Sequence, residues 1–195
     1  MKKLLVTAAL AAAIAVPAAA QAQNLPAAVV AVVDLDKVST DCNACRTARA
    51  ALQGQVTALQ NREKALSAPL ETEGKAIQAA IDALKGKDPD AALQARVKAF
   101  DAKRQQGAQE ISNQQQQIQR NSAYVSQQVQ AKLTPIYQQV MQRRGANVLV
   151  EIGATLATAS AIDVTNDVLA ALNTSLPSLA TTAPAQAQPQ QPQGR

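Results

Sequence analysis

Apolar positions along this chain change their period three times, and each period predicts a different element. Leu4 to Val16 is an apolar run broken only by Thr7, behind Met1-Lys2-Lys3, and Ala20-Gln21-Ala22 follows it. A basic start, a short apolar run and an A-x-A site predict an export signal over 1–22, cut before Gln23 or, as second choice, before Gln21. The run is shorter than the ~20 residues a membrane span needs. Ala28 to Leu35, behind Pro26, is β-branched and reads as a buried strand, the start of a body segment over 23–43. Ser39, Thr40, Asp41 and Asn43 then offer helix N-caps.

From Ala44 to Lys85 the period becomes a heptad. One seam holds Leu52, Leu59, Leu66, Glu73 and Ala80, the other Val56, Glu63, Leu70, Ile77 and Leu84. Only the two Glu break the apolar pattern, so it predicts a coiled-coil helix. Gly86-Lys87-Asp88-Pro89-Asp90 is a turn. A second helical stretch runs from Asp90 to Arg144, with Leu93, Val97 and Phe100 opening its stripe and Val129, Leu133, Ile136 and Val140 closing it. Its middle is Gln-rich, Gln114 to Gln117 being consecutive, and Gly145 suits the position past its end. Two long helices joined by a short turn fold back as an antiparallel hairpin over 44–145. Pro69 and Pro135 lie inside it and predict kinks or breaks.

Asn147 to Ile152 reads as a second strand, Ala154 to Ala159 as a weaker third, and Asn166 to Leu172 as a short helix capped by Thr165, which together make a body segment over 146–172. From Asn173 to Arg195 the chain is rich in Pro, Gln, Ala, Ser and Thr without apolar period, which predicts disorder. The fold class is therefore mainly α with a small β body, a long helical hairpin projecting from that body.

Composition narrows the function. Aromatics are 2% of the chain, too few for a thick globular core, and elongated helical packing suits such a sequence. There is no His, which excludes Ser/His/Asp triads, Cys/His dyads and His-bearing zinc sites. No G-x-x-x-x-G-K loop is present to hold ATP, and no cofactor is predicted. Without the signal, 17 Lys and Arg face 14 Asp and Glu, a mild excess that does not favour nucleic acid. The charge is segregated. The hairpin carries 15 Lys and Arg against 8 Asp and Glu, a net +7, while the rest of the exported chain is −4. Arg96, Lys98, Lys103 and Arg104 are the candidate basic residues for attracting an anionic partner, against the alternative of an ordinary solvated helix surface.

The pattern Val29-Val30-Ala31-Val32-Val33-Asp34-Leu35-Asp36-Lys37-Val38, with Gly145-Ala146-Asn147-Val148-Leu149-Val150 and Asp163-Val164-Thr165-Asn166-Asp167-Val168-Leu169 at the far end, resembles the OmpH family from about Val29 to Leu172. The resemblance implies a periplasmic holdase that uses no ATP. Its implied architecture is a homotrimer with a β-rich body and helical tentacles, and its implied partners are unfolded outer-membrane proteins, with contact to anionic lipid or lipopolysaccharide left open. The Cys pair and the Pro/Gln tail lie outside the family pattern.

Cys42-Asn43-Ala44-Cys45 is the one motif with catalytic potential. A structural disulfide, a reactive redox pair and free thiols are its three readings, and helical spacing is tight for a bridge unless the backbone unwinds near Cys42. Zinc would need two more good ligands, and the sequence has no other Cys and no His. Asp34, Asp36 and Asp41 read as a solvated strand-to-helix connection rather than a cation site. The alternatives to a non-enzymatic holdase are a structural coiled-coil adaptor of the envelope and, third, a thiol oxidoreductase using Cys42 and Cys45.

Overall fold

Two helices of 41 and 54 residues dominate the molecule, about 60 and 80 Å long at ~1.5 Å per residue. The computed structural model describes residues 26–185; the expected signal segment and residues 186–195 lie outside the described residues. In chain order come β1 (Val30–Val33), α1 (Leu35–Asp41), α2 (Asn43–Ala83), α3 (Ala91–Arg144), β2 (Val148–Glu151) and α4 (Thr165–Ser175).

The heptad reading holds along α2. Every seam position from Leu52 to Leu84 is buried or half-buried except Glu63, which is exposed. Glu73 is tolerated in the seam because Arg96 of α3 grips it through Nε at 2.7 Å and Nη2 at 3.1 Å. A second fork joins Arg62 of α2 to Glu110 of α3 at 2.6 and 2.9 Å. The helices thus fold back on each other through apolar contacts and two bidentate cross-links. Asp90 caps α3 by accepting from the Leu93 amide at 2.8 Å, and the chain reverses through Lys85 and Gly86, both at positive φ. At the far end Gly145 adopts φ +67°, and the Ala146 amide reaches back to the Met141 carbonyl at 2.9 Å. That is a Schellman closure, for which a left-handed residue is required. Neither Pro69 nor Pro135 interrupts its helix.

The body is built around β1. It pairs in parallel with β2, Val30 opposite Val148 through Val33 opposite Glu151, and the whole hairpin serves as the crossover that parallel pairing demands. On one face of this sheet Ala31, Val33 and Leu149 meet Val38, Val140, Val168 and Leu172, the last four fully buried or nearly so. The other face is Val30, Val32, Val148 and Val150.

Several expectations are corrected here. Residues 154–159 form no strand; short 3-10 turns at Ile152–Ala154 and Ser160–Ile162 flank an irregular stretch whose Leu156 is fully exposed. The segment after β1 is not a plain connection but the short helix α1, capped by Asp34, which accepts from the Lys37 amide at 2.7 Å. Asp41 pairs with Lys37 on the same helix. Thr165 does not cap α4. Its hydroxyl accepts from the Asp34 amide at 2.9 Å and ties α4 to the end of β1. Nor is the chain from Asn173 onward disordered as far as residue 185: α4 continues to Ser175, Leu176 is buried, and the following residues lie against the hairpin.

Gly54 stands exposed in α2, and a Cβ there would meet nothing within 4 Å. Gly54→Ala is therefore expected to stabilise the protein by roughly 0.5–1 kcal/mol, since it lowers the freedom of the unfolded chain at no steric cost. A chemical denaturation curve shifted to higher midpoint would check it.

Candidate functional site

Several open grooves lie along the hairpin among the described residues, one at its base and one midway along it. The lower one, about 500 Å³, sits where α1, α2 and α3 converge, with Leu52, Val125, Val129, Leu133 and Tyr137 as its apolar lining and Arg49 at its edge. Burial raises the Tyr137 phenol above its ordinary pKa. The second, about 470 Å³, lies mid-hairpin between the two forks. Leu66, Pro69, Leu70 and Gly107 line it, and Arg62, Glu73, Lys103 and Glu110 rim it. At the mid-hairpin groove the α3 stripe thins to Lys103, Gln106, Gly107 and Glu110 opposite Leu66 and Leu70 of α2, so the helices meet without filling the space between them.

Of the predicted basic residues, all four are exposed on α3. They differ in what they touch. Arg96 is bound in the fork to Glu73, and Arg104 stands 3.4 Å from Asp101 on its own helix. Lys98 and Lys103 have no ion-pair partner among the described residues, and Lys103 rims the mid-hairpin groove. Arg96 is thus a hairpin clamp as much as a surface charge. Sequence reasoning missed the forks, since Arg62 and Glu110 lie 48 residues apart and only the hairpin register brings them together.

The forks also set a pH dependence. Hydrogen bonds from Arg96 and Arg62 hold the Glu73 and Glu110 carboxyls below their ordinary pKa of 4.5. A carboxylate with a lowered folded-state pKa contributes stability above its unfolded pKa and loses it as pH falls through the folded value. The hairpin is accordingly expected to lose helix-to-helix cohesion only below about pH 4.5. Amide exchange in α2 and α3 compared at pH 7 and in acid would check this.

Cys42 and Cys45 form a disulfide with Cα atoms 5.1 Å apart. Cys42 is the break between α1 and α2, with ψ at 126°, and its sulfur accepts from the Cys45 amide at 3.2 Å while capping α2. This is the unwinding that the spacing required. Cys42 is 0% and Cys45 8% exposed, and Cys45 lines the lower groove, so the bond is sealed at Cys42 and borders the groove at Cys45. The acidic residues serve local structure, Asp34 as a cap and Asp41 as the partner of Lys37. Among the described residues no group of three or more Cys, Asp or Glu is placed to hold a metal ion, and no helix is long and apolar enough to cross a membrane.

Comparison with known families matches residues 29–172 to the family described as Outer membrane protein (OmpH-like). The chain belongs to the OmpH-like family. The match begins one residue before β1 and ends within α4, so it takes in both strands and the whole hairpin. A solved OmpH-like structure from Caulobacter crescentus CB15, named as an outer membrane chaperone, shares the fold with a TM-score of 0.66 at 20% identity, covering 80% of this chain and 90% of that one. Comparison with curated proteins gives no match. The OmpH-like match stops at Leu172, short of the segment that lies back on the hairpin.

Proposed function

We propose that this chain is an ATP-independent holdase chaperone of the periplasm, which binds unfolded outer-membrane proteins and keeps them from aggregating before insertion. The observation that carries the reading is an OmpH-like hairpin whose two helices leave open amphipathic grooves instead of a sealed seam. Apolar lining favours the greasy strands of an unfolded barrel, and the shallow, open form gives loose binding without a fixed pocket. The basic excess of the hairpin raises the encounter rate with anionic clients. Release then depends on the client being more stable once inserted. The full burial of Cys42, whose sulfur caps α2, speaks against the oxidoreductase alternative.

The body is the proposed site of trimer assembly. The outer edge of β2 has no strand partner among the described residues, and the valine face leaves Val30 and Val148 each 38% exposed. A two-stranded sheet is marginal alone, and pairing or packing between copies completes it.

The deciding experiment is aggregation of an unfolded β-barrel protein with and without the chain. Suppression at stoichiometric concentration supports a holdase; unimpeded aggregation, with tight binding to one folded envelope protein instead, supports the coiled-coil adaptor. For the electrostatic part, Lys98→Gln with Lys103→Gln is the clean variant, because it removes two charges and leaves both forks intact. Capture at low salt is expected to slow a few-fold and the difference to shrink near 1 M salt, where the Debye length is ~3 Å. Equal stopped-flow rates at low salt would reduce the basic hairpin to a solvated surface.

A further inference from the structure

Beyond α4 the chain runs as an extended strap up the seam between α2 and α3. Leu176 is buried in the body core and Leu179 packs against it. Leu179, Thr181 and Ala183 are half-buried while Ser178, Ala180 and Thr182 are exposed, the alternation of an extended chain lying on a surface. What receives it is a row of side-chain amides. Gln128 binds the peptide unit of Ala180 in both directions, donating to its carbonyl at 2.8 Å and accepting from its amide at 3.1 Å. Gln55 donates to the Thr181 carbonyl at 3.0 Å. Asn121, only 3% exposed, accepts from the Ala183 amide at 2.8 Å, donates to Gln55 at 2.8 Å and is steadied by Gln117 at 2.8 Å.

These contacts read main chain only. A Gln or Asn amide offers the same donor and acceptor as a peptide unit, so it pairs with backbone as a neighbouring strand would. No charged residue lies between Asn173 and Ala185, and no strap side chain makes a hydrogen bond to the hairpin among the described contacts. The spacing is also matched. Asn121 and Gln128 are one heptad apart, a rise of about 10.5 Å along α3. Ala180 and Ala183 are three extended residues apart, about 10 Å. A heptad of helix therefore stays in step with three residues of any extended chain. Gln114, a further heptad towards the hairpin tip, carries the same group and now donates to Glu110 at 3.0 Å.

We propose that the heptad-spaced amides Gln114, Asn121 and Gln128, with Gln55 opposite, form a binding site for the main chain of extended polypeptide irrespective of its sequence, and that the C-terminal strap occupies this site in cis. The inference rests on the holdase reading for its ligand, an unfolded client segment, and adds its regulation: the strap must lift for the client to enter. A strap docked about 90–99% of the time lowers the apparent affinity for an external chain roughly 10- to 100-fold.

The test compares the full chain with one ending at Leu179, which keeps both apolar anchors and removes the bonded peptide units. The probe is a short fluorescent peptide of Ser, Thr and Val without charge, read by anisotropy. The shortened chain is expected to bind it at least about tenfold more tightly, and Gln128→Ala in that shortened chain to abolish the gain without lowering its melting temperature. In the full chain the Ala180 and Ala183 amides should exchange slowly with solvent. Equal affinity of the two chains, indifference to Gln128→Ala, or free exchange at those amides would each overturn the proposal. Aggregation of an unfolded barrel separates the two readings. A barrel held by both chains, with the peptide ignored by both, removes the ladder and leaves the holdase. A peptide bound as expected, with the barrel aggregating freely, removes the holdase and leaves the ladder.

Discussion

Leu172→Ala is expected to cost about 2–5 kcal/mol, a loss comparable to the whole folding margin of many domains. Leu172 is 0% exposed in α4, within the cluster where Ala31 and Val33 of β1, Val38 of α1 and Val140 of α3 converge. That cluster is made of small and medium side chains, with Ala31, Ala44, Cys42 and Cys45 among its members. Its one aromatic neighbour, Tyr137, is only half-buried against it and no aromatic ring is among its buried members, so the cavity should persist and the cost should sit in the upper part of the range. A matched change in the hairpin, Leu59→Ala, removes a half-buried side chain from an open seam and should cost clearly less, because less apolar area is lost and water already reaches it. Urea denaturation of the two variants beside the parent gives the comparison. If Leu59→Ala proves as damaging as Leu172→Ala, stability resides in the hairpin and the body core is secondary.

What could be read in the sequence and what could not follows one physical line. The heptad from Leu52 to Leu84 was legible because many residues repeat one period, and a long helix needs only that local signal. The turn at Gly86 and the C-terminal Gly145 were legible because few residues tolerate those backbone angles. By contrast α1, at 7 residues, is too short to display a period and is marked only by its Asp34 cap. The expected strand at 154–159 has three Ala among six residues, weak strand formers, and with no partner strand among the described residues to bond it the segment stays irregular. The strap was the largest miss. Its Ala, Thr and Pro residues carry no apolar period, and what holds it are amides 52 to 126 positions away. The one available signal was the recurrence of Gln or Asn at 114, 121 and 128, which passed as part of a Gln-rich stretch. Of the basic residues, exposure was legible from helical position, but the engagement of Arg96 by Glu73 required the hairpin register.

A carboxylate on the valine face of the sheet should dissociate the proposed assembly. The pleat puts Val30, Val32, Val148 and Val150 on the side away from the helical core. Val32 is 1% exposed, whereas Val30 and Val148 remain 38% open in the single chain, an odd place for two β-branched residues unless another copy covers them. Val148→Asp places a charge at the open end of that face, where the isolated chain can leave it in water. Its fold should therefore survive, while burial of the carboxylate at an interface between copies would cost several kcal/mol. Val150→Asp is the harsher change, since Val150 is already half-buried beside Val32, and it should yield monomer or unfolded chain. Sedimentation distinguishes the outcomes, with circular dichroism to confirm that the helices persist. Trimer in the parent and folded monomer in Val148→Asp would place assembly on the sheet. A Val148→Asp chain that sediments as the parent does would move the assembly surface off this face, and the open edge of β2 would then be covered by some other element of a neighbouring copy or left solvated.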